Sequence, residues 1–310
     1  MRLRLALLPL AALSVAAVLL ADPGRATGQA VDPIAPFDAM VATERAFAAR
    51  ALVIGWKQAF LEYFADAAVG FAGGAAGYAR EQIAAAPDPP ADMQLLWEPR
   101  FGDISGDGDL GFLTGPARSV LPSRNDGQPR EQVYASIWKR QRDGRFKVVM
   151  DVGIPVPRAA RFAPGVTRLA PASRFTGDYD ENTPPLGAAD GILNSALRTG
   201  QARAYRDRLA PGARLHRPGL MPLVGDRAIL AWLASEPPMS ASDMRFSEAS
   251  ASGDFGYTWG TYIIPARRAG PGGSRGAQAG RRREEGFYVR VWVRERSRQW
   301  KVALDVLQPQ

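Results

Sequence analysis

The sequence predicts an α+β protein built from two tandem copies of one unit, each with three helices followed by a strongly bent antiparallel sheet. Three observations predict it. The octapeptide "GDLGFLTG" (Gly108 to Gly115) returns as "GDFGYTWG" (Gly253 to Gly260). The offset of 145 residues between Asp109 and Asp254 also joins Arg100-Phe101 to Arg245-Phe246, Phe60 to Tyr205 and Phe71 to His216. Further on, "YASIWKRQRDGRFKVVMDVGIP" (Tyr134 to Pro155) matches "YVRVWVRERSRQWKVALDVLQP" (Tyr288 to Pro309) at an offset of 154. Register held across separated blocks is the mark of a duplicated domain. The nine extra residues fall in an Arg/Gly-rich loop, Arg267 to Glu285, where an insertion is tolerated.

Taken in order, the first element is a leader. "MRLRLALLPLAALSVAAVLLADPGRATGQA" has Arg2 and Arg4, an apolar run and a small-residue exit, the plan of a secretory signal peptide over 1–30. Cleavage there leaves no later run apolar enough to span a membrane. The expected location is periplasmic or secreted. The first domain is read over 31–157. Phe37, Met40, Val41, Phe47 and Leu52 recur at helical spacing, and Gly55 breaks the run. Trp56 to Phe64 and Tyr78 to Ala86 supply two shorter helices. Leu95 to Ile104 and "LGFLTG" form a hairpin around "SGDGD". Pro116 to Glu131 reads as a long loop, and Tyr134–Gln141 with Phe146–Ile154 forms a second hairpin around "RDGR". Gly111 and Gly256, inside strand signal, suggest bends or bulges. A linker over 158–173 leads to the second domain, 174–310, which repeats the plan.

Composition excludes several chemistries. Without cysteine, thiolate catalysis and iron–sulfur or Cys zinc sites are ruled out, and one histidine, His216, cannot build a multi-histidine metal centre. The formal charge of +8 is concentrated in the Arg/Gly loop, which reads as a solvated hairpin tip; export removes nucleic acid as a partner. "DISGDGDLGFLT" begins like a calcium loop, but its twelfth position is Thr114, not the required glutamate. No glycine loop precedes a helix as phosphate binding needs, so no cofactor is expected.

"FLEYFADAAVGF", "SGDGDLGFLTG" and "YASIWKRQRDGRFKVVMDVG" together resemble the NTF2-like superfamily, in its SnoaL-like (DUF4440-type) branch. The resemblance covers most of both halves. It implies two cone-shaped domains, each a bent sheet and three helices around a cavity. It also implies pairing through the sheets, here as an internal pseudo-dimer. Members of that superfamily include isomerases, dehydratases, polyketide cyclases and binding modules.

Candidate site residues follow. In "KVVMDVG", Val148, Met150 and Val152 alternate with Val149 and Asp151; Asp305 is placed likewise in "KVALDVL". A carboxylate between apolar neighbours in a dry cavity becomes a possible general base. His216, on the cavity wall by resemblance, is the third catalytic candidate. Tyr134 and Trp138 share one strand face, as do Tyr288, Arg290 and Trp292. With Phe71 and Trp97 they are the ligand-lining candidates. The resulting reading is an exported tandem module that binds a small apolar molecule or a protein partner. The alternative is an acid–base enzyme of the isomerase, dehydratase or cyclase type using a cavity aspartate.

Overall fold

The computed structural model describes residues 34–123, 127–169, 184–266 and 283–310. The expected signal segment, the end of the linker with the start of the second domain (170–183), and most of the Arg/Gly loop (267–282) lie outside the described residues. The first half runs α1 (Ile34–Ile54), α2 (Trp56–Tyr63), β1 (Phe64–Gly70), β2 (Gly77–Tyr78), α3 (Ala79–Ala85), β3 (Gln94–Trp97), β4 (Phe101–Ile104), β5 (Leu110–Val120), β6 (Arg130–Arg140), β7 (Phe146–Pro155) and β8 (Thr167–Arg168). The second runs α4 (Leu186–Leu197), α5 (Gln201–Tyr205), β9 (Leu209–His216), β10 (Leu223–Val224), α6 (Asp226–Leu233), β11 (Ala241–Ala249), β12 (Phe255–Ile264), β13 (Glu284–Arg294) and β14 (Trp300–Pro309). The class is α+β, with two sheets among the described residues.

Local sequence explains most boundaries. Phe37, Met40, Val41 and Phe47 are buried along α1, and Gly55, at φ 84°, ends it where an L side chain would be strained. Leu52 does not join that face: it is 57% exposed, because Ala51 holds the inward position one residue earlier. The strand expected over Leu95 to Ile104 is two strands, interrupted at Pro99, which has no N–H for a ladder. The long loop expected after Pro116 is shorter, because β5 and β6 stay paired out to Ser119 and Arg130.

Both sheets are mixed rather than purely antiparallel. The first has the order β2-β1-β7-β6-β5-β4-β8, with β3 also on β5; the second has β10-β9-β14-β13-β12-β11. β1 runs parallel to β7, and β9 parallel to β14, because helices and hairpins separate each pair and allow the crossover. Registers repeat with the sequence offsets. Trp138 faces Val148 and Trp292 faces Val302; Ser136 faces Asp151 and Arg290 faces Asp305. A register shift falls between Ile137 and Trp138, and another between Val291 and Trp292.

That irregularity overturns the simple alternation expected for the last strands. Val148 sits in the helix-side core with Trp138, whereas Val149 and Met150 both join the opposite face. Asp151 therefore lies on the helix side, opposite the face that Met150, Val152 and Ile154 share. Gly111 and Gly256 mark no bulge. A Cβ on Gly111 would lie 2.8 Å from the Asp103 carbonyl and 2.7 Å from Met40 Sδ. On Gly256 it would lie 2.6 Å from the Glu248 carbonyl and 2.5 Å from Leu186 Cδ2. Each glycine lets the first helix of its half lie close on the sheet.

Helices cover one face of each sheet and form separate cores around Phe47 and Trp138 and around Tyr205 and Trp292. The other faces share a single core: Phe112, Val133, Ile137 and Val152 of the first sheet cluster with Phe255, Val289, Val291 and Val306 of the second. At one edge two hairpin turns exchange bonds. The Gly106 N–H donates to Asp254 (3.0 Å) and the Ala251 N–H to Asp109 (3.1 Å), a reciprocal contact between residues related by the 145 offset. The expected linker also contributes structure. Thr167–Arg168 adds to β4 as a parallel strand, and Ala160 and Leu169 are buried in the shared core.

Gly256→Ala should destabilise the protein by about 1–3 kcal/mol, since a backbone carbonyl cannot yield as a side chain can. Thermal melts of that variant and the parent check it.

Candidate functional site

The inward stripe of α1 carries one acid. Glu44 falls at helical spacing between Met40 and Phe47 and is fully buried. Two indole N–H groups hold its carboxyl: Trp97 of β3 donates at 2.6 Å and Trp138 of β6 at 2.7 Å. On the adjoining strands the Ser136 hydroxyl donates to Asp151 at 2.7 Å. It lies beside Glu44 as well and acts to lower that carboxyl, and no cation neutralises either acid among the described residues.

Electrostatics follow from that isolation. Burial above all, then the neighbouring Asp151 charge, pushes Glu44 up to about 8, against the pull of its indole and hydroxyl donors. Burial pushes Asp151 up to about 6, opposed by Ser136. At neutral pH the pair retains a proton on Glu44. Tyr134, one turn of the pleat from Ser136, has a buried hydroxyl with no hydrogen-bond partner among the described residues. Burial first, and then Glu44 and Asp151, hold that hydroxyl neutral.

Asp151 and Tyr134 line a narrow cleft of about 40 Å³, whose other walls include Phe47, Phe60, Leu95 and Trp97. A cleft of this size admits a few waters or the head of a small ligand. It offers one acceptor, one unpartnered hydroxyl and an aromatic wall. Two larger open grooves, of about 630 and 460 Å³, lie at the β6–β7 and β13–β14 hairpins, and they hold neither aspartate.

In the second half the space beside the strand aspartate is filled; a cavity of about 120 Å³ lies beyond Arg217, between it, Gln201, Trp232 and Leu307, and does not reach Asp305. Arg290 stands where the first half has Ser136, and it is fully buried. Its guanidinium bonds Asp305 at 2.8 Å, Asp190 of α4 at 2.8 Å and Asn194 at 2.7 Å, and lies 3.9 Å over the Tyr288 ring. Arg217 reaches Asp305 at 2.6 Å, Tyr205 donates to the same carboxylate, and Tyr288 donates to Asp190 at 2.6 Å. Burial acts to raise Asp305, but Arg217 and Arg290 outweigh it and hold the carboxyl below its ordinary value. Asp305 is therefore a committed ion-pair partner rather than a free base.

The remaining expected residues divide accordingly. Asp151, Trp97 and Tyr134 come together at the cleft. Trp138 supports it from behind as a donor, wholly buried. Tyr288, Arg290 and Trp292 are packed core. Trp292 also reaches the floor of the 460 Å³ groove at the β13–β14 hairpin, away from Asp305, where the guanidinium occupies the room a ligand would need. Phe71 stacks on Phe287 at 4.4 Å and meets Trp259 edge-on, so it belongs to the contact between the sheets. His216 is registered against Val306 on that same contact face, whereas Asp305 is on the helix face, so the two form no acid–base pair. Burial, aided by Arg214 and Arg217, pushes the imidazole down to about 3.

Glu44 and Ser136 were not among the expected site residues. A glutamate on an otherwise apolar helix stripe was the readable signal for the first. For the second, strand alternation puts Ser136 on one face with Tyr134 and Trp138, and Arg290 in its place signals a difference in polarity between the halves; its bond to Asp151 depends on strand register.

Two outcomes test these contrasting arrangements. In the unfolded chain Glu44 ionises near 4.5, but in the fold only near 8. The native state binds the extra proton between those values, so its stabilising effect is complete below the lower one and is lost as pH rises through the upper. Urea melts at about pH 5 and about pH 8 should differ by a few kcal/mol, and Glu44→Gln should remove most of that difference. Arg290→Met should cost on the order of 3–5 kcal/mol by leaving Asp190 and Asp305 buried without their shared cation, again read from urea melts.

No protein-family model matches the chain, and no curated protein is similar to it.

Proposed function

We propose that this is an exported protein of two NTF2-like (SnoaL-like) repeats, paired as an internal pseudo-dimer, that binds a small apolar molecule in the first repeat alone. The carrying observation is the cleft itself, where a carboxylate without a cation and a buried hydroxyl without a partner meet an aromatic wall. Such groups are costly to leave unpaired, and a ligand bearing a donor and an acceptor beside an aromatic or aliphatic body satisfies both. The donor meets Asp151 and the acceptor takes the Tyr134 proton. Repeat-like registers and the reciprocal turn contact support the tandem reading. The apolar leader supports export to the periplasm or beyond.

A second reading, proton transfer on the bound molecule, is favoured by the Glu44–Ser136–Asp151 chain. Asp151 near 6 serves as a base around neutrality, with Glu44 holding a proton in reserve. The two readings share one site and differ in whether the ligand changes.

Quenching of tryptophan fluorescence by a panel of small aromatic alcohols and amines should detect binding. Asp151→Asn should weaken it by about tenfold or more, and Tyr134→Phe by less. Tyr288→Phe, in the filled second repeat, should leave it unchanged. Binding indifferent to Asp151 overturns the assignment. Conversion of a bound alcohol or ketone that Asp151→Asn abolishes, seen by mass spectrometry or proton exchange, selects the enzymatic reading.

A further inference from the structure

Phe101 and Phe246 are related by the 145 offset, yet Phe101 is 5% exposed and Phe246 is 40% exposed. The difference comes from what lies over each ring. The Arg214 guanidinium sits 3.9 Å above Phe101 and 5.4 Å from the Phe162 ring, so the segment after β7 is folded over this corner. That segment continues into β8, where the Thr167 N–H donates to the Arg100 carbonyl (3.0 Å) and the Leu169 N–H to the Gly102 carbonyl (3.2 Å). Arg168, between them, bonds Asp103 at 2.8 Å.

The second sheet has the same edge, and no described segment covers it. β11 ends the strand order. Ser247 is registered against Thr258 as Gly102 is against Leu113, which turns the Ser247 carbonyl outward as Gly102's is. Neither it nor the Arg245 carbonyl has a backbone partner of this kind among the described residues. Val69 stands in Arg214's place, and among the described residues no guanidinium lies over Phe246. The indole N–H of Trp259, registered against Phe246, has no partner among the described residues, whereas Met244 is on the opposite face of β11, against Gly187 of α4. On its own face the Phe246 ring meets Tyr257 at 5.6 Å; Glu248, which stands where Asp103 does, is ion-paired with Lys139, and Asp243 lies 3.6 Å from Arg198.

We propose that the β11 edge is a docking strand for an extended segment of a partner protein, added in parallel as β8 is added to β4. The occupant presents alternate backbone N–H groups to the carbonyls of Arg245 and Ser247. Its recognition element is a basic residue followed by an apolar one, the pair that Arg168 and Leu169 supply on the covered edge. Main-chain pairing provides the affinity; the Phe246 ring selects the apolar residue, and Glu248, exchanging Lys139 for the occupant's cation, selects the basic one. This surface is remote in sequence and chemistry from the cleft and does not depend on it.

A fluorescein-labelled peptide with the sequence of residues 162–169, FAPGVTRL, is the probe, titrated into the full chain and followed by anisotropy. Saturable binding is expected, with protection of β11 amides from hydrogen exchange. Phe246→Lys should weaken it by about tenfold or more, and a peptide with glutamate in place of the arginine should bind less well. Because Phe246 is substantially exposed, the variant should melt like the parent. Absence of saturable binding up to the peptide's solubility limit overturns the proposal, as does binding that Phe246→Lys leaves unchanged. If the chain instead sediments as a dimer that Phe246→Lys dissociates, the occupant is a second copy and the partner-segment assignment fails.

Discussion

Burial of two apolar sheet faces against each other is the constraint from which the other arrangements follow. Each half covers one face of its sheet with helices and leaves the second face rich in valine, isoleucine and phenylalanine. Water would make such faces unfavourable by tens of calories per mole for every square ångström exposed. Meeting face to face removes both from solvent at once. That contact absorbs Phe71, the side of β9 carrying His216, and the aromatic residues Trp259 and Phe287. Chemistry is then left to the helix-covered faces, where Asp151 and Asp305 lie.

Those two faces illustrate different answers to one electrostatic problem. A strand aspartate and an acid on the first helix occupy the interior of each half. In the second half, buried guanidinium groups neutralise them, and hydrogen bonds donated to Asp190 by Asn194, Tyr288 and Thr258 complete the network. Both aspartates are matched by cations, and removing one partner would strand a charge. In the first half, serine replaces arginine, the charge is suppressed by holding a proton, and space remains beside Asp151. A single exchange at equivalent strand positions, Ser136 against Arg290, therefore separates an open site from a filled one. The second half thus serves as packed scaffold at this position while the first keeps a cleft.

The same asymmetry acts at the sheet edges. The chain following β7 covers the corner at Phe101, and no described segment does so at Phe246. Pairing through backbone groups needs little sequence specificity, which is why the covering strand could not be anticipated from a stretch rich in arginine, alanine and proline.

The sequence by itself determined the doubled plan, the helices and most strands, because these depend on spacing that recurs along the chain: the octapeptide, the offsets, the stripe from Phe37 to Phe47, and the break at Gly55. It also showed Asp151 as a carboxylate among apolar neighbours. It did not reveal that β1 and β9 insert in parallel, that one-residue bulges reassign Val148 and Val302, or that Gly111 and Gly256 serve close helix contact. Only the tertiary structure decided which aspartate is free, because that depends on Arg217, Arg290, Glu44 and Ser136 converging from distant elements. Local pattern specifies which face a side chain takes; charge and solvation at a site are set by everything packed around it, wherever it lies in the chain.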